Sequence, residues 1–253
     1  MMGKGFRLAV GTIAWGFLRS VEDFRRVARF LAEVGVEGVG IEYRLLPREL
    51  RRRPEALARI LGEAGLENIG SYSNLKEPSI EWGVGSGAKI YWVVSRERDC
   101  AKADMVLEEY VLRARSSGIT VALHNHLRTC YDDLEDLSRI LAKTRDLALC
   151  LDTAHAIAAN IDLEEVLKLY RDRIALVHLK DLRARVSKSS VRFKRDFVNV
   201  GEGIIDFKSF LRMLDLYGYR GYLMLEIEAL GSMDPYSAVR LGVERVRKVL
   251  EDL

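Results

Sequence analysis

The sequence predicts an α/β fold, a single closed (β/α)8 barrel occupying residues 1–253 as one domain. Three observations carry this. Short apolar runs alternate with longer amphipathic segments along the chain, the pattern of a parallel sheet with crossover helices. Eight such units fit into 253 residues, an ordinary length for one closed barrel. No Gly-rich turn of the kind an open nucleotide-binding sheet carries follows the first strand, and no Pro/Gly/Ser-rich linker divides the chain.

The elements follow in order. The first strand is expected over Arg7–Ile13, before Trp15. A helix starts at Ser20, where Asp23 three residues on makes a near-match to a capping box, and runs to Val34, closed by Gly35. The second strand is Glu37–Glu42. A helix from Pro54 ends at Gly65, with Pro in its first turn and Gly past its end. The third strand is Glu67–Tyr72. Leu75–Gly87 is short and glycine-rich, so the third crossover is expected to be shortened to a turn or loop, leaving apolar surface for contacts between copies of a homo-oligomer. The fourth strand is Ala88–Val94, followed by helix Lys102–Ser117 and the fifth strand, Ile119–His124. Then come helix Asp132–Lys143, strand Leu147–Asp152, helix Leu163–Tyr170 and strand Ile174–Leu179. A long polar loop leads to helix Phe207–Leu216, strand Tyr222–Ile227 and helix Pro235–Leu250.

Composition narrows the function classes. Hydrophobic residues make up 49% and charged residues 30%, which fits a folded globular chain. The 40 basic residues nearly balance the 37 acidic ones, so no nucleic-acid partner is indicated. No apolar run reaches the roughly 18 residues of a membrane span, and the N-terminus lacks a signal-peptide core. Cys100, Cys130 and Cys150 are far apart and in no metal-type spacing; they are expected to be reduced thiols of a cytoplasmic protein.

Barrel active sites gather at the C-terminal ends of the strands, and side chains two apart share a face. On the fifth strand Ala122 leads to His124 and His126. On the sixth, Cys150 leads to Asp152; on the seventh, Leu176 leads to His178 and Lys180; on the eighth, Met224 leads to Glu226 and Glu228. Four consecutive strands thus bring His124, Asp152, His178 and Glu226 toward one point, an ordinary ligand set for one divalent metal ion. Unbound, such a set is costly to desolvate. The chain has four histidines, and all of them (His124, His126, His155 and His178) fall at the ends of strands five to seven.

These residues resemble the xylose-isomerase-like barrel superfamily of sugar isomerases, epimerases and inosose dehydratases. The similar segments are Ala122–Thr129, Leu151–His155, His178–Arg183, Gly218–Glu226, Gly201–Gly203 with Ile205–Phe207, and Ile13–Gly16. In that family a Glu, an Asp, a His and a Glu on strands five to eight bind the metal. Asp152, His178 and Glu226 match the last three, whereas His124 stands where the family has Glu. The His124-Asn125-His126 segment and the loop after the seventh strand are similar to the inosose dehydratase branch.

The resemblance implies an enzyme acting on a small polyhydroxylated substrate by proton abstraction next to a metal-polarised carbonyl. The first reading is a sugar isomerase or epimerase. The second is an inosose dehydratase-like lyase, and a third, of another class, is a non-catalytic sugar-binding barrel. A three-zinc endonuclease on the same barrel would need more histidines. The extra imidazole tilts the metal preference toward Mn²⁺, Co²⁺ or Zn²⁺ over Mg²⁺. With His124 a ligand, Glu226, Glu228 or Lys180 has to move the proton, although Lys180 also fits a structural pair with Asp181. His126 and His155 are expected to bind substrate hydroxyls or to donate a ring N–H to a ligand carboxylate. Arg183, Glu42 and Trp15 complete the expected substrate contacts. The loop Arg183–Arg195 carries six cations and no acid, and reads either as a solvated loop or as a lid.

Overall fold

The computed structural model describes residues 5–253. Eight parallel strands close into a barrel: β1 (Arg7–Gly11), β2 (Gly38–Ile41), β3 (Glu67–Ser73), β4 (Ile90–Val93), β5 (Thr120–His124), β6 (Ala148–Asp152), β7 (Ile174–Leu179) and β10 (Tyr222–Leu225), with β10 closing against β1. A two-stranded antiparallel hairpin, β8 (Asp181–Leu182) and β9 (Phe197–Val198), stands between β7 and β10. The (β/α)8 fold read from the alternation is the observed one. No helix among the described residues is long and apolar enough to cross a membrane.

Helix starts follow their side chains. Ser20 accepts from the Asp23 N–H and Asp23 accepts from the Ser20 N–H, a complete capping box opening α1 (Val21–Glu33). Such a cap contributes about 1 kcal/mol. After α2 (Arg48–Arg52), Pro54 opens α3 (Pro54–Glu63). The third crossover differs from the expected loop: Ile80–Ser86 is a helix, α4, capped by Ser79. Its glycines serve close packing. A Cβ on Gly83 would lie 2.3 Å from the Tyr91 hydroxyl, and one on Gly85 would lie 2.9 Å from Pro54. The crossover buries Ile80 and Trp82 and exposes Val84.

Helices α5 (Cys100–Ala114), α6 (Leu134–Lys143), α7 (Thr153–Ala158), α8 (Leu163–Tyr170), α9 (Phe193–Asp196), α10 (Phe207–Leu216) and α11 (Pro235–Glu251) complete the chain. Asp133, Asp162, Asp206 and Asp234 cap α6, α8, α10 and α11.

The barrel interior is a compact layer of Ala9, Ile69, Trp92, Ala122, Cys150, Leu176, Tyr222 and Met224. The alternation on β5, β6, β7 and β10 is the expected one, with Ala122, Cys150, Leu176 and Met224 inside. Strand β2 contributes no inward side chain. A Cβ at Gly40 would lie 2.2 Å from the Met224 sulfur and 3.1 Å from Trp92; one at Gly38 would lie 2.4 Å from Ile69. Glycine on one strand leaves room for large residues on others. Each of those, fully buried, contributes about 1.5–3 kcal/mol.

The cysteines are a correction. Cys100 and Cys130 form a disulfide with a Cα–Cα distance of 5.4 Å, and Cys150 alone is free, buried in the barrel. Thirty residues separate the pair in sequence, but Cys100 opens α5 and Cys130 lies in the turn after β5, so adjacent βα units meet there. Cysteine usage therefore no longer points to a reducing compartment.

Candidate metal centre and its surroundings

His124 ends β5 and Asp152 ends β6, which runs in register with β7 so that Asp152 lies beside His178. His178 in turn lies beside Met224 on β10, two residues before Glu226. One ligand atom from each of His124, Asp152, His178 and Glu226 lies within 4.8 Å of all the others. His124 Nε2 is 3.4 Å from Asp152 Oδ2, and His178 Nδ1 is 2.5 Å from Glu226 Oε2 and 3.8 Å from Asp152 Oδ2. All four side chains are buried.

The donor set fits a divalent ion. Both ring nitrogens of His178, Nδ1 of His124 and Oε2 of Glu226 are buried without a hydrogen-bond partner. The short His178–Glu226 approach therefore lacks hydrogen-bond alignment. Buried polar atoms left this way are costly, and a shared cation satisfies several at once. Two residues absent from the expected site fix the frame. Asn125 accepts from the Asp152 N–H at 2.7 Å and donates to the Asp152 carbonyl at 3.1 Å. Thr153 donates to the Lys180 carbonyl at 2.6 Å and accepts from its N–H at 3.1 Å. Asn125 could be found from its place between two histidines, and Thr153 from its place in the Leu151–His155 segment.

Lys180 is almost completely buried. Its ammonium lies 3.3 Å from Asp152 Oδ2 and 3.1 Å from Glu226 Oε1, and pairs with Glu228 Oε1. It does not pair with Asp181, as one reading expected. The Asp181 carboxylate instead accepts the N–H groups of Leu182, Gly201, Gly203 and Ile205 at 2.8–3.1 Å, holding the Gly201–Gly203 turn. Burial opposes the charge on Lys180, but Asp152, Glu226 and Glu228 outweigh it and hold the ammonium well above its usual range. Burial likewise opposes ionisation of Asp152 and Glu226; Lys180 and then the neighbouring histidines overcome it and hold both carboxyls well below theirs. Glu42 goes the other way: burial, then Glu226 and Glu228, push its carboxyl well up. The shift favours the protonated carboxyl, opposite to the direction in Asp152 and Glu226.

His126 and His155 flank this centre, their ring centroids 4.3 Å apart. The Leu127 N–H donates to His155 Nδ1 at 3.0 Å, while the Leu127 carbonyl accepts from His126 Nδ1 at 2.7 Å. Neither ring donates to a ligand carboxylate, contrary to one expectation. The main-chain N–H of His155 does so instead, to Asp152 Oδ1 at 2.9 Å. Burial and then His124 lower His126 to about 3, and burial outweighs the opposing charge of Asp152 to depress His155 strongly, so both are neutral. Phe193 and Phe197, stacked 5.2 Å apart, form a wall against them. Neither aromatic was among the expected substrate contacts; Phe193 lies in the cationic loop and Phe197 opens β9 just after it.

Two expected substrate contacts have partners of their own. Arg183 is exposed, with Nε donating to the Arg195 carbonyl at 3.2 Å. Trp15 packs edge-on against Phe30 of α1 and Tyr236 of α11, the filling role open to a large aromatic. A cleft of about 690 Å³ between α8 and α10, lined by Ile161, Ile205, Phe210 and Met213 among others, does not include the four ligand candidates.

The sequence profile of the xylose isomerase-like TIM barrel family matches residues 83–249. The chain belongs to that family. Within the family's reach, it is 31% identical over 126 residues to the inosose dehydratase of Geobacillus thermodenitrificans, covering 46% of this chain and 42% of that protein. It is 34% identical over 128 residues to the inosose dehydratase of Yersinia enterocolitica, covering 46% and 43%. The matched part thus spans less than half the length of these curated relatives. Among solved members of the same fold, the IolI protein with a bound zinc atom superposes with a TM-score of 0.81 at 16% identity, covering 97% of this chain and 98% of that one. An L-ribulose 3-epimerase superposes with a TM-score of 0.77 at 15% identity, covering 97% and 95%.

Proposed function

We propose that this xylose isomerase-like barrel is a divalent-metal-dependent enzyme that moves a proton on the carbon next to a carbonyl of a small polyhydroxylated compound, a sugar or an inosose. The observation that carries the reading is the convergence of His124, Asp152, His178 and Glu226 with the Lys180–Glu228 ion pair at one end of the barrel. His124, Asp152, His178 and Glu226 would hold the ion, and two imidazoles favour Mn²⁺, Co²⁺ or Zn²⁺ over Mg²⁺. The bound ion would supply Lewis acidity toward the carbonyl.

The chain's own groups divide the remaining work. Glu228, partly open to solvent at 18% exposure and in contact with Lys180, is the base within reach of the mouth. Lys180, its ammonium set among the carboxylates of Asp152, Glu226 and Glu228, is the matching donor. Glu42, whose carboxyl is shifted toward the protonated form, can donate to a substrate hydroxyl. Leu127 fixes the two flanking histidines in opposite tautomers, so His155 presents an Nε2 donor and His126 an Nε2 acceptor to hydroxyls of the substrate. Phe193 and Phe197 cover them and exclude water.

Isomerisation or epimerisation returns the proton to carbon. A specific observation favours a second reading, dehydration: Lys180 holds a proton beside the carboxylates and can deliver it to a departing hydroxyl. Similarity to inosose dehydratases supports that reading as well. The deciding experiment incubates the Mn²⁺-loaded protein in D₂O with ketohexoses and inososes and follows the carbon-bound protons by NMR. Deuterium at the carbon next to the carbonyl supports proton transfer. A new epimer then selects the first reading and loss of water the second. No exchange with Mn²⁺, Co²⁺ or Zn²⁺ overturns the enzymatic reading and leaves a binding barrel.

A further inference from the structure

The segment that follows Lys180 is a hairpin. Its stem is β8 and β9, paired Asp181 with Val198 and Leu182 with Phe197, and Asp181 fixes the base of that stem through four main-chain N–H groups. Its tip, residues 183–196, reaches across to the turn that follows β5. Only a few contacts hold it there. Arg128 Nη2 donates to the Val191 carbonyl at 2.5 Å and to the Ser189 carbonyl at 3.4 Å. The Arg128 guanidinium lies 5.1 Å over the Phe193 ring. Lys188 Nζ is 2.5 Å from Asp132 Oδ1. Val191 is completely buried although Ser189, Ser190 and Arg192 around it are exposed.

Arg128 is set up for this contact. Its φ is +65°, a conformation that side-chain-bearing residues seldom adopt, and its own N–H donates to Asp132 Oδ2 at 2.7 Å. Asp132 thus ties both Arg128 and Lys188. The residue positioned by this arrangement is Phe193, edge-on to His126 at 5.2 Å and to His155 at 5.3 Å.

We propose that residues 183–196 are a hinged flap over the centre and that Arg128 is the positioning residue that latches it. The assignment of the covered face as the substrate side rests on the reading given under Proposed function. A tip held by two cationic ties and three apolar side chains, Val186, Val191 and Phe193, opens at far lower cost than the barrel unfolds. Loops at this end of the barrel are where such gates are built. The β8–β9 stem and its Asp181 cage supply the fixed end, and the turn after β5 supplies the catch.

The test is amide hydrogen exchange on the full chain, chelator-treated, as wild type, Arg128→Ala and Arg128→Lys. Arg128→Ala is expected to speed exchange over residues 186–193 by about tenfold or more, while barrel strands keep their rates and Arg128→Lys restores part of the protection. A second readout is the rate at which a chelator strips Mn²⁺ from the loaded protein: it rises in Arg128→Ala while the equilibrium Kd stays within about twofold. Unchanged exchange over 186–193, or an equal rise throughout the barrel, overturns the flap. Should Arg128→Ala not fold, Lys188→Met takes its place with an expected rise of about threefold at the same segment and the same overturning results. Failure to take up Mn²⁺ would sink the catalytic reading alone, since the exchange measurement needs no metal.

Discussion

The main-chain N–H of Leu127 donates to Nδ1 of His155, and one atom pair along the same residue its carbonyl accepts from His126. A single peptide residue therefore dictates where the proton sits on both imidazoles. In the neutral state His155 carries its proton on Nε2 and His126 on Nδ1. Ring nitrogen–proton correlation spectra of chelator-treated protein at neutral pH should show this opposite pair of tautomers. Two identical tautomers would break the donor–acceptor assignment made for the substrate side.

Acid should weaken the fold through His126. Its folded pKa is about 3, lowered chiefly by burial and then by His124, whereas the unfolded chain titrates near its ordinary value of about 6.5. Between these values the unfolded state binds the extra proton, so stability rises with pH. It is fully present above about pH 6.5 and lost as pH falls toward 3. Denaturant unfolding of the chelated protein across that window should show the loss, and His126→Asn should reduce it, with His155 supplying the remainder.

Removing the Lys180 ammonium should hurt most without metal. Lys180→Met leaves Asp152, Glu226 and Glu228 without their shared cation. Stranding buried charge in this way costs about 3–5 kcal/mol. Thermal unfolding is expected to show a large drop in Tm with chelator and a larger recovery on adding Mn²⁺ than the wild type shows. Equal recovery in both proteins would mean that the ammonium and the ion do not act on the same carboxylates.

The Cys100–Cys130 bridge closes a loop of 30 residues, and chain-entropy reasoning assigns such a loop about 3–4 kcal/mol. Unfolding free energies of the oxidised protein and of Cys100→Ser/Cys130→Ser should differ by that amount, with the parent approaching the variant on reduction.

Much of this was legible in the chain. Strand ends carry polar residues only where the barrel mouth needs them, so period-two alternation was enough to bring His124, Asp152, His178 and Glu226 together. Capping chemistry fixed helix starts at Ser20 and Pro54. What escaped depended on contacts between distant units. Gly83 and Gly85 read as loop-forming, yet they are small because Tyr91 and Pro54 press on α4. Cys100 and Cys130 read as separate because only the neighbouring βα units bring them together. Of the two readings of Lys180, the pair with its sequence neighbour Asp181 fails, because side-chain alternation sends the two to opposite faces and leaves Lys180 among three carboxylates. Phe193 and Phe197 carry no polar group to mark them, and only the folded hairpin brings them against His126 and His155.

Gly38 and Gly40 give the barrel an uneven filling, with one empty stave and bulky neighbours leaning across it. Inheritance should record that unevenness. Among descendants of a common ancestor, positions 40, 92 and 224 ought to drift as a linked set: a side chain gained at 40 should be accompanied by a shorter one at 224 or 92, because the interior holds a fixed volume whichever strand supplies it. The same bond should tie 38 to 69 and 222. Lineages that break the linkage would have to widen the barrel itself, and with it the spacing of the four strand ends that meet at its mouth.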